Sequence, residues 1–237
     1  MAILNLGIAL VLGGTSGLGL ELALQCRDSC YGRVIVAGRH DPRREGNQDR
    51  NWNSVEFKHC DLTSWDLAIK LTGELQEVGV FPSMFIWAAA QHWMGHFSDM
   101  KMRQMKELAV TNMVNALPIV QWAWDRMRDL RSQRTRFVII SSTSATKPRN
   151  QEAIYAGTKA FQLQLARCLA KEHPYTKRTV TVALPGGMKT QLYREGMNPH
   201  YKEFMDPGKV ARFIMERVMR QRCALNVLKI PRQKELM

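Results

Sequence analysis

IALVLGGTSGLGLELA, residues 8–23, is the stretch that decides the fold. The apolar residues Ile8 to Leu12 meet a knot of glycines, and an apolar-periodic segment begins at once. A strand that turns directly into a helix needs a residue without a Cβ at the turn, and Gly13 supplies it. Gly17 leaves backbone amides free to approach a diphosphate, with Leu18 beside it, and Gly19 lets the helix lie close on the strand. The helix N-terminus then presents unpaired N–H groups and a positive dipole end to the phosphates. Thr15 and Ser16 add hydroxyl donors. The spacing G-x-x-x-G-x-G differs from the G-x-G-x-x-G of other dinucleotide folds.

Working outward, strands and helices alternate. Strands are expected over 8–12, 33–37, 53–59, 81–89, 137–141, 179–184 and 225–230, and helices over 17–27, 64–77, 100–130, 151–173 and 206–221. Asp206 and Pro207 form a start signal for the last helix. The strands are apolar throughout rather than two-faced. They belong to a parallel sheet covered on both sides, so the expected fold is α/β: a doubly wound, Rossmann-like sheet of about seven strands. Residues 39–50 are polar and loop-like, and no linker divides the chain, so 1–237 is read as one domain.

Composition supports a packed core, with 45% apolar and 23% charged residues. No apolar stretch approaches the roughly 20 residues of a membrane span, and the first apolar run lacks a signal peptide's basic flank. Cys26, Cys30, Cys60, Cys168 and Cys223 form no framework, which suits buried thiols in a reducing cytoplasm. The net charge of +13 is spread out, with eight Lys/Arg against three Asp/Glu over 101–136 and seven against two over 212–237. Without a nucleic-acid motif, this reads as a field attracting a phosphorylated cofactor rather than nucleic acid or membrane.

The second strand ends in "VAGRH". Gly38 leaves room where an acid would meet a ribose 2′-hydroxyl, and Arg39 can pair with a 2′-phosphate, so NADP(H) is expected over NAD(H). Arg43 and Arg44 assist weakly. Asp61, after the third strand, is placed to hydrogen-bond an adenine amine, with Leu62 beside it; helix capping is the competing role.

"ISSTSATKPRNQEAIYAGTKA" spans 140–160. Tyr155 and Lys159, four apart, share one helix face, and Ser142 stands at the end of the preceding strand. The three suit hydride transfer to a carbonyl, with Tyr155 as proton donor, Ser142 holding the oxygen and Lys159 favouring the phenolate. Lowering a phenol's pKa by about 2–3 corresponds to about 3–4 kcal/mol.

These motifs resemble the short-chain dehydrogenase/reductase family, of NADP-preferring type, over about 8–230. The resemblance implies Asn112 in "VTNMVNALP" as a fourth catalytic residue that perturbs its helix and holds a relay water, and Pro118 would loosen that helix further. It implies that Pro185 and Gly186 border the nicotinamide, with Met188 near them and Thr190 contacting the carboxamide or diphosphate. A homodimer or homotetramer is implied likewise. Two departures stand out. Leu12 replaces the usual Thr, and "WAAA", Trp87–Ala90, replaces N-N-A-G, leaving Ala88 and Ala89 beside the cofactor without bracing amides.

On the substrate side, "QHWMGHF" and 188–205 follow strand ends. His92, Trp93, Thr143 and Tyr193 are candidate substrate contacts. Met188, Leu192, Tyr193, Met197, Tyr201, Phe204 and Met205 could form an apolar lid. His92 and His96 are four apart, but a third ligand is lacking and no metal site is expected. Trp122 and Trp124 read as packing or interface. The function expected is an NADPH-dependent carbonyl reductase or alcohol dehydrogenase acting on a small molecule. The alternatives are a non-catalytic NADP(H)-binding sensor or scaffold, and an epimerase or dehydratase using the same site.

Overall fold

The computed structural model describes residues 6–29, 31–44, 47–130, 133–173, 177–193, 200–232 and 236–237. Seven parallel strands form one sheet in the order β3-β2-β1-β4-β5-β6-β7. The strands are β1 (Ile8–Leu12), β2 (Arg33–Gly38), β3 (Val55–His59), β4 (Pro82–Trp87), β5 (Thr135–Ile140), β6 (Arg178–Pro185) and β7 (Leu225–Ile230). The helices are α1 (Gly17–Asp28), α2 (Trp65–Glu77), α3 (Met102–Asn112), α4 (Leu117–Arg128), α5 (Ala153–Glu172) and α6 (Pro207–Arg220). The expected doubly wound architecture is therefore present.

Burial explains the continuous apolar strands. β4 and β5 are buried along their whole length because helices cover both faces of the sheet. One core cluster joins Leu10, Phe85, Trp87 and Phe137 to α2, α4 and α5; the other joins Val11, Val36 and Ile86 to α1 and α6. Trp122 and Trp124 are buried in the first cluster. Trp124 packs edge-on against Phe137 at 5.0 Å between ring centroids. Asp206 caps α6 by accepting from the backbone N–H of Lys209 at 2.8 Å.

The single helix expected over 100–130 is two helices. Met113 leaves the helical region at φ −130, ψ −72, and a tight turn at Val114–Ala116 precedes α4. Pro118 falls in the first turn of α4, where its missing N–H breaks no helical bond. The third strand starts at Val55 rather than residue 53, because Ser54 sits at φ +62. Residues 39–50 carry one short 3₁₀ turn, Pro42–Arg44. Cys26 and Cys60 are buried, and burial pushes both thiols up to about 12. Cys168 and Cys223 are exposed, against the expectation of buried thiols, and Cys30 lies outside the described residues. Among the described residues no helix is long and apolar enough to cross a membrane.

Gly73 lies exposed in α2, and a Cβ built on it meets nothing within 4 Å. Gly73→Ala is expected to stabilise the protein by about 0.5–1 kcal/mol, because alanine loses less conformational entropy in a helix. Urea titration checks this; a lowered midpoint would contradict the helix assignment there.

Candidate active site

The strand order reverses between β1 and β4, and a crevice of about 550 Å³ opens there at the carboxyl ends of the strands. Its floor is the glycine turn. Gly13 adopts φ +82, and a Cβ on it would lie 2.3 Å from the backbone nitrogen of Ala89. A Cβ on Gly19 would lie 2.0 Å from the Gly13 carbonyl oxygen, so α1 can pack this closely only with glycine there. Ser16, the N-cap of α1, makes no side-chain cap bond, and the first turn holds no acid. Among the described residues, no side chain caps the N-terminus of α1 where it meets the crevice, which leaves its N–H groups open to an anion.

Apart from the assisting Arg43 and Arg44, the residues expected to hold the dinucleotide line this crevice: Gly13, Thr15, Ser16, Gly17, Leu18, Gly19, Arg39, Asp61, Leu62, Ala88, Ala89, Tyr155, Lys159, Pro185, Gly186, Met188 and Thr190. Asp61 also accepts from the Thr63 N–H at 2.9 Å, so it closes the turn before α2. The α2 cap itself is Ser64. Arg43 is paired with Asp41 at 2.6 Å, and neither Arg43 nor Arg44 lines the crevice. At the "WAAA" departure, the backbone N–H groups of Ala88 and Ala89 both donate to the Leu12 carbonyl, at 2.8 and 2.9 Å. Main-chain bonds therefore hold the ends of β1 and β4 together, although the indole N–H of Trp87 is buried without a partner.

β5 and α5 deliver the reactive groups. Tyr155, Ser142 and Tyr193 line the crevice together, and Ser142 and Tyr193 pull the phenol's pKa down against the effect of burial. The Lys159 Nζ sits 5.7 Å from the centre of the Tyr155 ring. It donates to the Ile140 carbonyl and to Gln162 Oε1, both at 3.0 Å. Asn112 lies behind them. Its side chain accepts from the Gln91 N–H at 2.7 Å and donates to the Gln91 carbonyl at 2.9 Å. This pins the loop after β4 to the end of α3. The Asn112 carbonyl accepts from Gln162 Nε2 at 3.2 Å, so Gln162 bridges Asn112 and Lys159 directly.

The electrostatics differ from the sequence expectation. Lys159 was expected to lower the Tyr155 pKa. Instead burial, aided by the negative charge of Glu152, raises it above the ordinary phenol value. Burial also drives Lys159 itself down to about 7. Burial penalises the charged form of each.

Of the substrate candidates, His92 and Tyr193 line the crevice, whereas Trp93 and Thr143 do not. Trp93 packs with Met100, Leu108 and Tyr155, drawn inward by its apolar area. Thr143 accepts from Arg149 at 3.5 Å in the turn after β5. In the expected lid, Met188 and Met205 form an isolated bridge, and Tyr193 and Phe204 pack edge-on at 5.3 Å. Met197 lies outside the described residues. His96 meets Gln151 at 3.3 Å, and His92 meets Glu152 at 3.3 Å. The sequence reading missed Glu152, Ser144 and Gln162. Single polar residues in a turn, before a helix and on a helix carried no signal there, since the contacts that give them a role form only in the fold.

The sequence model of the short chain dehydrogenase family matches residues 7–199. The chain is 26% identical over 219 residues to an acetoacetyl-CoA reductase of Paracoccus denitrificans, covering 88% of each. An actinorhodin polyketide ketoreductase solved with NADPH superposes with TM-score 0.80 at 19% identity, over 95% of this chain and 96% of that one. A 3-ketoacyl-(acyl-carrier-protein) reductase from Brucella melitensis, solved with NADH, does so with TM-score 0.81 at 16% identity, over 96% and 97%. A parallel sheet wound about a glycine turn, and named reductases alike over nearly the whole length, make one conclusion: the chain belongs to the short-chain dehydrogenase/reductase family and is an oxidoreductase of CH–OH and C=O groups.

Proposed function

We propose that the protein is an NADPH-dependent carbonyl reductase, with Tyr155 as proton donor. The observation that carries this reading is that Ser142, Tyr155 and Lys159 line the same crevice as the glycine turn. The crevice fits the cofactor: α1 faces it without a side-chain cap, and Arg39 lines it beside Gly38. Arg39 would pair with the 2′-phosphate, α1 would face the diphosphate, and Asp61 and Leu62 would border the adenine. Pro185, Gly186, Met188 and Thr190 would border the nicotinamide.

When bound, the nicotinamide supplies the hydride. Ser142 donates a hydrogen bond to the substrate's carbonyl oxygen and holds it beside Tyr155. Tyr155 transfers its phenolic proton to that oxygen. The raised phenol pKa keeps this proton in place until the oxygen becomes basic. Lys159 then offsets the phenolate's charge in its protonated form, with Gln162 and Ile140 fixing its position. Met188 and Phe204, both buried, shield the site from water.

Screening NADPH oxidation against aldehydes, ketones, quinones and imines tests the activity; no consumption with any member of the panel would refute it. For coenzyme choice, Arg39→Ala is expected to weaken NADPH binding about 10–100-fold while NADH binding changes less than about threefold. Equal losses for both coenzymes would defeat the assignment.

A further inference from the structure

Glu152, the residue before α5, is buried beside the reactive phenol. One carboxylate oxygen lies 3.3 Å from His92 Nε2, and the other accepts from the Ser144 hydroxyl at 2.9 Å. Both side chains of the His92–Glu152 pair are nearly closed to solvent, at 5% and 10% exposure. Burial pulls the Glu152 carboxyl upward more than any other single influence. The hydrogen bonds from His92 and Ser144, with the charges of His92 and Arg149, together outweigh it and hold the group below the usual carboxylate range. A carboxylate only accepts, so His92 Nε2 carries the shared proton. The ring lines the crevice, edge-on to Tyr155 at 4.6 Å and tilted against Tyr193 at 4.4 Å. Among the described residues, no hydrogen bond is made by its Nδ1. In the neutral ring that nitrogen is an acceptor, and the carboxylate behind it opposes an approaching anion.

We propose that His92, oriented by Glu152 and Ser144, is the specificity-determining group of the substrate pocket, and that it selects carbonyl compounds bearing a hydroxyl next to the reacting carbonyl. Ser142 and Tyr155 would hold the carbonyl oxygen while Nδ1 accepts from the neighbouring hydroxyl. The two rings touch, at 4.6 Å between centroids, so a substrate whose oxygen reaches Tyr155 lies alongside His92 as well. A carboxylate in the hydroxyl's place meets an acceptor backed by a negative charge. This inference rests on the reductase reading. Glu152 acts through His92 and is a positioning residue.

The test uses the full-length protein with NADPH and three probes on one aryl frame: 2-hydroxyacetophenone, acetophenone and benzoylformate. The wild-type protein is expected to favour 2-hydroxyacetophenone over acetophenone by at least about tenfold in kcat/KM, with benzoylformate below both. His92→Leu is expected to bring the hydroxyl preference to within about threefold. Glu152→Gln should raise the KM for 2-hydroxyacetophenone while kcat moves less than about threefold, a split that loss of folding would not produce. Calorimetric titration of the two ketones into NADPH-loaded Tyr155→Phe reads the same preference without turnover. Equal use of both ketones, a preference for benzoylformate, a preference that survives in His92→Leu, or binding of neither ketone overturns the proposal. A binding preference in Tyr155→Phe without turnover by the wild-type protein would refute the reductase reading and leave the role of His92 standing.

Discussion

Tyr155→Phe is expected to lower kcat for carbonyl reduction by about 10²–10⁴-fold while NADPH affinity stays within about threefold of wild type. The substitution removes one oxygen. In the proposed reaction that oxygen, which shares the crevice with Ser142, gives its proton to the substrate, and phenylalanine has none to give. The ring stays: its packing against His92, Met100 and Leu108 involves carbon atoms that phenylalanine keeps. The glycine turn, Arg39 and Asp61, proposed to hold the cofactor, follow the ends of β1, β2 and β3 and are untouched. Stopped-flow reduction and fluorescence titration of NADPH measure the two quantities. Retained kcat would remove Tyr155 from the chemistry, and a matched collapse of NADPH affinity would show that the variant had lost the crevice rather than the proton.

The second large effect concerns stability. Lys159 is 2% exposed and has its pKa driven by burial from 10.5 to about 7. The folded value lies below the unfolded one, so between pH 7 and 10.5 the unfolded chain binds more protons than the folded one. Stability therefore rises with pH across that window, and the penalty is fully present below pH 7. A difference of about 3.5 in pKa corresponds to about 5 kcal/mol at low pH, of which about 2 kcal/mol is recovered between pH 7 and 9. Above pH 9 the buried thiols of Cys26 and Cys60 oppose the trend, because they ionise more readily in the unfolded chain. Chemical denaturation of the ligand-free protein at pH 7 and 9 is expected to show this rise, and Lys159→Met is expected to lack it. A rise of equal size in the methionine variant would assign it to other groups. α5 carries the amine beside Tyr155, and its hydrogen bonds to the Ile140 carbonyl and Gln162 Oε1 keep it there.

Much of this was legible in one dimension. The turn from β1 into α1 could be read because Gly13 and Gly19 sit where any Cβ collides with backbone, a constraint that acts within a few residues. Tyr155 and Lys159 could be paired because a helix brings residues four apart onto one face. Seven apolar runs foretold a sheet covered on both sides, and the spacing of turns foretold its winding. The break at Met113 was half visible: Pro118 marked it, but a proline in the first turn of a new helix and one that bends an old helix look alike in sequence.

The sequence by itself determined the winding of the sheet, the glycine turn into α1 and the Ser142–Tyr155–Lys159 set, since each follows from periodicity or from steric limits on neighbouring residues. Only the tertiary structure decided the direction of the pKa shifts of Tyr155 and Lys159 and the pairing of His92 with Glu152, which lie 60 residues apart. Burial and long-range pairing are properties of the folded volume, and no local pattern records which side chains will share it or how little water will reach them.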